Sequence, residues 1–215
     1  MKYKAVLFDL DGTLLNTLED LATSMNLVLE RNGYPTHTLE EYKYFIGDGV
    51  DKLVRRALPP DVPEAETNKF ISVMREEYRK HYNEKTRTYK GIPEMLESLV
   101  ARGLKLAILS NKPHDLTQEV VSRILPHWRF NQVLGAKPQI PKKPDPTGAL
   151  EIAVDLNILP EEVLYLGDTD TDMKTANSAG MYPVGALWGF RTADELSAAG
   201  AKALVENPMD LMRLL

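Results

Sequence analysis

The chain has 215 residues, a net charge of −5 and no cysteine. That length suits one domain, or one domain that carries an insertion. The lack of cysteine excludes disulfides, thiolate nucleophiles and cysteine-based zinc sites, and the negative charge argues against a general nucleic-acid-binding surface. Because no apolar run is long enough for a signal peptide or a membrane span, we expect a cytoplasmic protein without a membrane partner.

Short apolar runs alternate with helical patterns along most of the chain. This alternation predicts an α/β fold with a doubly wound parallel sheet. The predicted strands are Lys4–Phe8, Leu104–Leu109, Gln132–Gly135, Val163–Leu166, Pro183–Leu187 and a weaker Ala203–Val205. Between them, helical patterns cover Pro93–Gly103, Leu116–Ile124, Ala149–Leu156 and Met173–Ala179.

Residues 16–89 break this rhythm, because no convincing strand is found there. A stripe of apolar residues from Leu18 to Leu29 predicts one helix, with Asn16 as its N-cap and Gly33 at its end. Further helices fit Leu39–Phe45, Val50–Leu58 and Glu64–Tyr82. We therefore predict an all-helical cap domain, residues 16–89, inserted into an α/β core domain formed by residues 1–15 and 90–215.

The first apolar run ends in two acids, Asp9 and Asp11, followed by Gly12. Residues i and i+2 of a strand face the same way, so the two like charges start out on one side. Burying them needs a cation, a proton or another compensation. Gly12 allows a sharp turn at the carboxyl end of the strand, where α/β sheets bind ligands. A simpler reading is that both acids merely cap a loop.

Three other short segments place polar residues at the ends of predicted strands or in the loops between them. Ser110 and Asn111 follow the second strand, Lys142 and Lys143 stand in "PKKPDP", and "GDTDTD" begins at Gly167. Taken singly, each also fits an ordinary structural role: a turn, an exposed loop lysine, or acids that favour a helix N-terminus.

Together, the four segments resemble, in order, the four motifs of the haloacid dehalogenase-like hydrolase superfamily, beginning with Asp-Leu-Asp-Gly-Thr at residues 9–13. The resemblance implies a Rossmann-like core in which Asp9 is the nucleophile and Asp11 the general acid and base. It implies that Ser110 holds the transferring phosphoryl group and that Lys143, rather than Lys142, neutralises the acids.

For the fourth motif the resemblance implies that Asp168 binds a metal ion. Asp172 would bind it through water or orient Lys143, and Asp170 falls on a variable position. Mg²⁺ is the expected cofactor, held by the Asp9 and Asp168 carboxylates and the Asp11 main-chain carbonyl. Phosphate contacts are expected from Lys143, from Ser110 and from main-chain N–H groups, namely those of Leu10, Gly12 and Asn111.

The implied activity is hydrolysis of a phosphomonoester through an aspartyl phosphate. The opening segment, the cap size and "ALWGF" are most similar to phosphoglycolate phosphatases, which implies a small phosphorylated metabolite as partner. Pyrophosphatases and sugar phosphomutases such as β-phosphoglucomutase share much of the pattern. A haloacid dehalogenase is disfavoured because its pattern lacks the second acid, and a metal- or phosphate-binding regulatory module is the non-enzyme alternative.

Two segments stay open as substrate contacts: Gly47–Gly49 in the predicted cap, and Trp188–Phe190 after the fifth strand. Both fit structural roles equally well, the first as a turn between helices and the second as packing at the rim of the core. We expect a monomer or a homodimer.

Overall fold

The computed structural model describes residues 2–215, and the chain divides into two compact units. One comprises the chain up to Asn16 and again from Thr88 to Leu215, and we call it the core unit. The other, Thr17–Arg87, is the helical unit. Its assignment as a cap domain stays a prediction. Among the described residues, no helix combines the length and apolar character that a membrane crossing requires.

The described residues form eight strands, six of which build one sheet in the core unit. They are β1 (Ala5–Phe8), β2 (Leu15–Asn16), β3 (Arg87–Thr88), β4 (Lys105–Pro113), β5 (Gln132–Ala136), β6 (Val163–Gly167), β7 (Tyr182–Ala186) and β8 (Ala203–Val205). The large sheet has the order β5-β4-β1-β6-β7-β8, and every pairing in it is parallel.

Nine α-helices are described, four in the helical unit and five in the core unit. They are α1 (Leu18–Arg31), α2 (Leu39–Phe45), α3 (Val50–Ala57), α4 (Glu64–His81), α5 (Ile92–Ala101), α6 (His114–Ile124), α7 (Thr147–Asp155), α8 (Asp170–Ser178) and α9 (Ala193–Ala198). Short 3₁₀ segments occur at Pro160–Glu162 and Pro208–Leu214. The predicted α/β class with a parallel sheet is confirmed.

Apolar residues of the central strands and of α7 and α8 form a continuous core, which includes Leu7, Tyr165, Ile152 and Ala176. Strand β1 is wholly buried, as its uninterrupted apolar sequence requires. Phe8, the last residue of β1, lies beside Ile108 of β4 and Leu166 of β6. The residues that follow these three positions therefore emerge at the same edge of the sheet.

Strand β4 is longer than its apolar run predicts. It continues past Leu109 through Ser110, Asn111 and Lys112 to Pro113, with a register irregularity against β5 between Leu109 and Pro113. The apolar run predicts an end at Leu109, because polar side chains follow. Backbone pairing does not depend on that polarity, so the motif residues lie within the strand and not in a turn after it.

The start of α1 and the region of residues 16–89 need two corrections. The expectation that this region has no strand was wrong, because Leu15–Asn16 and Arg87–Thr88 pair as a separate two-stranded sheet. For the same reason Asn16 is not an N-cap: it belongs to β2, and the cap position is Thr17, whose side chain makes no capping hydrogen bond.

Asp20 joins the two ends of the helical unit. Its carboxylate, 2% exposed, accepts hydrogen bonds from the main-chain N–H groups of Lys85 and Thr86 and from the Thr86 hydroxyl. A buried carboxylate with these donors is well compensated, and it fixes α1 against the end of the unit.

Candidate active site

A buried lysine lies between two buried acids at the carboxyl edge of the sheet. Lys143 Nζ is 2.8 Å from Asp9 Oδ1 and 2.6 Å from Asp172 Oδ1. The three side chains are at most 6% exposed. Asp9 directly follows β1, Asp172 lies in the first turn of α8, and Lys143 comes from the loop before α7. Three distant parts of the sequence thus meet in one ion-pair cluster.

Asp172 serves this cluster and its own helix at once. Helix α8 begins at Asp170, three residues before the predicted start, with Thr169 as its N-cap. Asp172 Oδ2 accepts hydrogen bonds from the Thr169 N–H and hydroxyl, while Oδ1 accepts from Lys143. Tyr165, buried in β6, places its hydroxyl 3.4 Å from the same Oδ1. Both Asp172 oxygens therefore already have donors from the protein.

Asp168, which follows β6, is fully buried and held from two sides. Its Oδ1 accepts from the Thr13 hydroxyl at 2.7 Å, and its Oδ2 accepts from the Phe190 N–H at 2.9 Å. Thr13 is fixed in turn by Trp188, whose Nε1 donates to the Thr13 carbonyl at 2.9 Å. Asp168 therefore has a defined orientation, and each of its oxygens retains further lone-pair capacity.

Among the described residues, the carboxylates of Asp9, Asp168 and Asp172 form a group that could hold a metal ion, with one oxygen of each within 4.8 Å of the others. Burial raises the pKa of Asp9 well above its ordinary value, Lys143 opposes this, and the charges of Asp172 and Asp168 add to it. Burial and then Asp172 raise the pKa of Asp168 to about 7.

Lys143 is charged in this setting. Burial lowers its pKa, but the Asp172 and Asp9 carboxylates outweigh this and raise the pKa well above the ordinary lysine value. One ammonium does not neutralise three converging carboxylates, so the site favours a further cation. All the candidate donors are oxygen atoms, which suits a hard divalent ion. The residues present fit a Mg²⁺ site.

Asp11 lies two residues after Asp9 but forms its ion pair with a different lysine. Its Oδ1 is 2.8 Å from Nζ of Lys112, and the two side chains are 14% and 4% exposed. Lys112 was missed by the sequence analysis. The available signal was its spacing: in a strand, Lys112 shares a face with Ser110, two residues before it.

Ser110 and Asn111 are both buried in β4. Ser110 Oγ accepts a hydrogen bond from the Lys112 N–H at 3.2 Å. The Asn111 side chain pairs with the main chain of Lys143 in both directions, donating to its carbonyl at 3.0 Å and accepting from its N–H at 2.9 Å. Asn111 therefore positions Lys143, a role that the sequence analysis did not foresee.

Gly12 is required by both conformation and space. Its φ is +91°, and a Cβ added there would overlap the Asp168 carboxylate and lie 2.7 Å from Phe190 Cε2. Residues other than glycine rarely adopt this backbone conformation. Because glycine has no Cβ, the loop after β1 packs directly against Asp168, the candidate metal ligand that follows β6.

The other candidate residues do not belong to the cluster of acids and Lys143, although one segment contacts it. Lys142 is exposed, unlike its neighbour Lys143. Asp170 is 40% exposed in its side chain and pairs with Lys174 at 2.6 Å. Trp188–Phe190 lie beside Asp168 and support it, and Gly47–Gly49 form the turn between α2 and α3 in the helical unit. Their contact with a substrate stays a prediction.

Comparison with known proteins gives a consistent result. Residues 6–186 match the family model described as haloacid dehalogenase-like hydrolase. The chain is 32% identical to a phosphoglycolate phosphatase of Aquifex aeolicus over 99% of its length and 96% of the relative's. It is 33% identical to a phosphoglycolate phosphatase of Thiobacillus denitrificans, with 95% and 92% covered. A crystal structure from Lactobacillus delbrueckii subsp. bulgaricus is 32% identical, with a TM-score of 0.93 over 100% of this chain and 98% of the other.

Proposed function

The chain belongs to the haloacid dehalogenase-like hydrolases, and on that premise we propose that it is a magnesium-dependent phosphomonoester hydrolase. The observation that carries the proposal is the convergence of Asp9, Asp168 and Asp172 with Lys143 at the carboxyl edge of a parallel sheet. Buried acids of raised pKa beside a charged lysine are typical of catalytic sites and are costly in a purely structural role.

We assign the nucleophile to Asp9. Its carboxylate attacks phosphorus, the bond from phosphorus to the ester oxygen breaks, and an aspartyl phosphate forms. Lys143 supports this step because its ammonium faces Asp9 and can shield the charge of an incoming phosphate. Asp172 and Asn111 hold Lys143 by its ammonium and by its main chain.

Asp11 is proposed as the general acid and base. It donates a proton to the ester oxygen as the alcohol leaves, and later takes a proton from the water that attacks phosphorus of the aspartyl phosphate. In this second step the bond from phosphorus to the Asp9 oxygen breaks, the Asp9 carboxylate is regenerated, and the water's oxygen stays on the phosphate. The net reaction is hydrolysis to an alcohol and inorganic phosphate. Ser110 and the main-chain N–H groups of Leu10, Gly12 and Asn111 are the proposed phosphate contacts.

The Asp9 and Asp168 carboxylates and the Asp11 main-chain carbonyl would hold Mg²⁺, which when bound supplies positive charge to phosphate oxygens. Asp172 is better suited to positioning Lys143 than to direct ligation, because each of its oxygens already has two hydrogen-bond donors, whereas each Asp168 oxygen has one among the described residues. This division of roles follows from the hydrogen bonds that each carboxylate makes within the protein.

The proposed substrate is a small phosphorylated metabolite, with phosphoglycolate as the leading candidate. The support is that the relatives of about 30% identity over nearly the whole chain carry the name phosphoglycolate phosphatase. We further propose that the helical unit, including Gly47–Gly49, acts as a cap that excludes bulk water during the reaction. A metabolic enzyme of this kind would work in the cytoplasm.

A phosphate-release screen tests the reaction and the substrate together. The purified protein is offered phosphoglycolate, other small phosphate esters and pyrophosphate, with Mg²⁺ and with EDTA. We expect Mg²⁺-dependent release, greatest from phosphoglycolate. Higher activity on pyrophosphate would identify a pyrophosphatase instead, and conversion of a sugar phosphate to its isomer without free phosphate would identify a mutase.

Substitution of Asp9 tests the mechanism. Asp9→Asn should abolish turnover while leaving the fold intact, because the amide is similar in shape but is not a nucleophile of this kind. Asp170→Asn is the matched control, since Asp170 is partly exposed and pairs only with its own helix in the described contacts. Substantial phosphatase activity in Asp9→Asn would remove Asp9 from the nucleophilic role. Mg²⁺ binding without turnover by the unmodified protein would favour the regulatory-module alternative.

A further inference from the structure

The function proposed above assigns no role to Lys112, a buried charged residue next to the proposed phosphate-binding segment of β4. Lys112 lies in β4 beyond Ser110, and its side chain is 4% exposed. Its main chain is fixed at both ends: the N–H donates to Ser110 Oγ, and the carbonyl accepts from the Thr117 hydroxyl at 3.1 Å. Gly135 of the neighbouring strand leaves no spare room, because a Cβ there would lie 2.7 Å from the Lys112 carbonyl oxygen.

From this fixed backbone, the Lys112 ammonium reaches Asp11 across 101 residues of sequence. Lysine is rarely buried unless it is paired, and desolvation of an ammonium is costly. A solvent-exposed ion pair would contribute little to stability or geometry. Here the lysine side chain is enclosed, and the charge-assisted hydrogen bond of 2.8 Å gives the Asp11 side chain a defined direction.

Orientation matters at Asp11 because of its position in the chain. It stands in the loop after β1, directly before Gly12, whose φ is +91°. A carboxyl group on such a loop can rotate about two side-chain bonds, and proton transfer requires it to lie within hydrogen-bond reach of the leaving oxygen. Lys112 contacts Oδ1, so the proton donor and acceptor would be the other carboxyl oxygen, Oδ2.

We propose that Lys112 is the positioning residue of the general acid and base: it fixes the Asp11 carboxyl group so that Oδ2 faces the leaving oxygen. The inference rests on the proposed function, because it assigns Lys112 a part in the same reaction. Lys112 itself neither exchanges a proton nor bonds to phosphorus. It acts through Asp11, and its loss should affect only the two steps in which Asp11 gives or takes a proton.

The leaving group separates this role from a structural one. An alkyl phosphate expels a strongly basic alkoxide unless the ester oxygen is protonated, whereas p-nitrophenyl phosphate expels a stable anion that needs no proton. In both cases kcat/KM covers the steps up to release of the alcohol or phenol. A defect in positioning Asp11 should therefore appear with alkyl esters and be nearly absent with the nitrophenyl ester.

The experiment compares the wild type, Lys112→Met and Lys112→Arg on three substrates: phosphoglycolate, ethyl phosphate and p-nitrophenyl phosphate, all with saturating Mg²⁺. General acid catalysis contributes about 10²–10⁴-fold, so we expect Lys112→Met to lower kcat/KM roughly 30-fold or more for both alkyl esters. For p-nitrophenyl phosphate the expected loss is under about 3-fold. Lys112→Arg should recover much of the alkyl-ester activity, and Lys174→Met, at an exposed lysine, should change none of the values.

Each other pattern overturns the inference. Equal losses on all three esters would indicate a structural or phosphate-binding role. A loss on phosphoglycolate that ethyl phosphate does not share would make Lys112 a contact for the substrate carboxylate. Unchanged values would leave it without a role in the reaction. A wild type without phosphatase activity would overturn the proposed function and this inference with it, whereas any of the preceding patterns in an active enzyme overturns the inference alone.

A double-mutant cycle keeps the test valid if Lys112→Met is less stable. In an Asp11→Asn background, removal of the lysine charge should cause no additional loss on ethyl phosphate, because the positioned group is already absent. Independent, multiplicative losses for the two substitutions would contradict the claim that Lys112 acts through Asp11.

Discussion

Replacement of Lys143 by methionine should lower the free energy of unfolding of the core unit. It should also make that free energy strongly dependent on pH. Methionine is similar in length but uncharged, so it removes the ammonium and leaves Asp9, Asp168 and Asp172 converging without a cation. Lys143 Nζ contacts two of these acids, at 2.8 Å and 2.6 Å. At an effective dielectric constant of about 20, each contact has a Coulomb energy of about 6 kcal/mol, which desolvation of the ammonium largely offsets.

The expected net loss is the cost of breaking a buried pair, about 3–5 kcal/mol at neutral pH in EDTA. The loss should be smaller near pH 5, because the remaining acids then take up protons and no longer repel one another. Mg²⁺ should restore part of the stability at pH 8 by replacing the missing positive charge. Catalysis should fall as well, since the phosphate loses a cation beside Asp9.

Tryptophan fluorescence in urea is a suitable assay. Both tryptophans of the chain, Trp128 and Trp188, lie in the core unit, so the signal reports the unit that holds Lys143. Lys142→Met is the matched control: the lysine is adjacent in sequence but exposed, and its replacement should change stability by less than about 0.5 kcal/mol. Similar losses in the two variants, or a loss that does not vary with pH, would refute this account of the cluster.

Three other perturbations test separate parts of the structure. In EDTA, the wild type should lose stability as pH rises from about 4 through about 7, because Asp168 binds its proton more tightly when folded, with a pKa raised from 3.8 to about 7. Stabilisation by Mg²⁺, followed by fluorescence melting, should grow over the same interval. Asp168→Asn should reduce both effects without abolishing them, because the pKa of Asp9 is also raised well above its ordinary value. Gly12→Ala should lower kcat/KM by roughly 100-fold or more, since the new Cβ displaces the Asp168 carboxylate. Gly103→Ala is the control, because Gly103 is also at positive φ but has open space around it; this variant should lose only about 1 kcal/mol of stability and keep its activity. Asp20→Asn should cost about 1–3 kcal/mol within the helical unit, seen as faster hydrogen exchange at the Thr86 amide; unchanged exchange there would show that the buried carboxylate does not hold the unit together.

Much of the fold follows from hydrophobic patterning. Uninterrupted apolar runs such as residues 5–8 and 163–166 predict strands buried on both faces, and their alternation with helical patterns predicts a parallel sheet. The places where the prediction was wrong have a common physical cause. Strand β4 continues through polar residues, and Leu15–Asn16 pairs with Arg87–Thr88, because backbone hydrogen bonds form wherever geometry permits. Apolar periodicity records burial of side chains and carries no information about such pairings.

The candidate site shows a similar limit. Acids that follow buried parallel strands are brought to one edge by the topology alone, so a shared site for Asp9 and Asp168 could be predicted from their positions. The partners of these acids could not. Lys112 donates to Asp11 across 101 residues of sequence, and Asn111 binds the main chain of Lys143 across 32 residues. These contacts depend on side-chain directions that no local sequence pattern encodes.

Asp172 shows why single motifs are ambiguous when read separately. An acid three residues after Thr169 fits a capping box, and the structure contains that box, with Oδ2 as the acceptor. Capping does not require the carboxylate to be fully buried, however, and it leaves Oδ1 unused. The structure uses this second oxygen to hold Lys143 at 2.6 Å. The helix start thereby fixes the direction of the carboxylate, and the carboxylate fixes the lysine beside Asp9. The structural and the functional interpretation of Asp172 are therefore both correct, and the first makes the second possible.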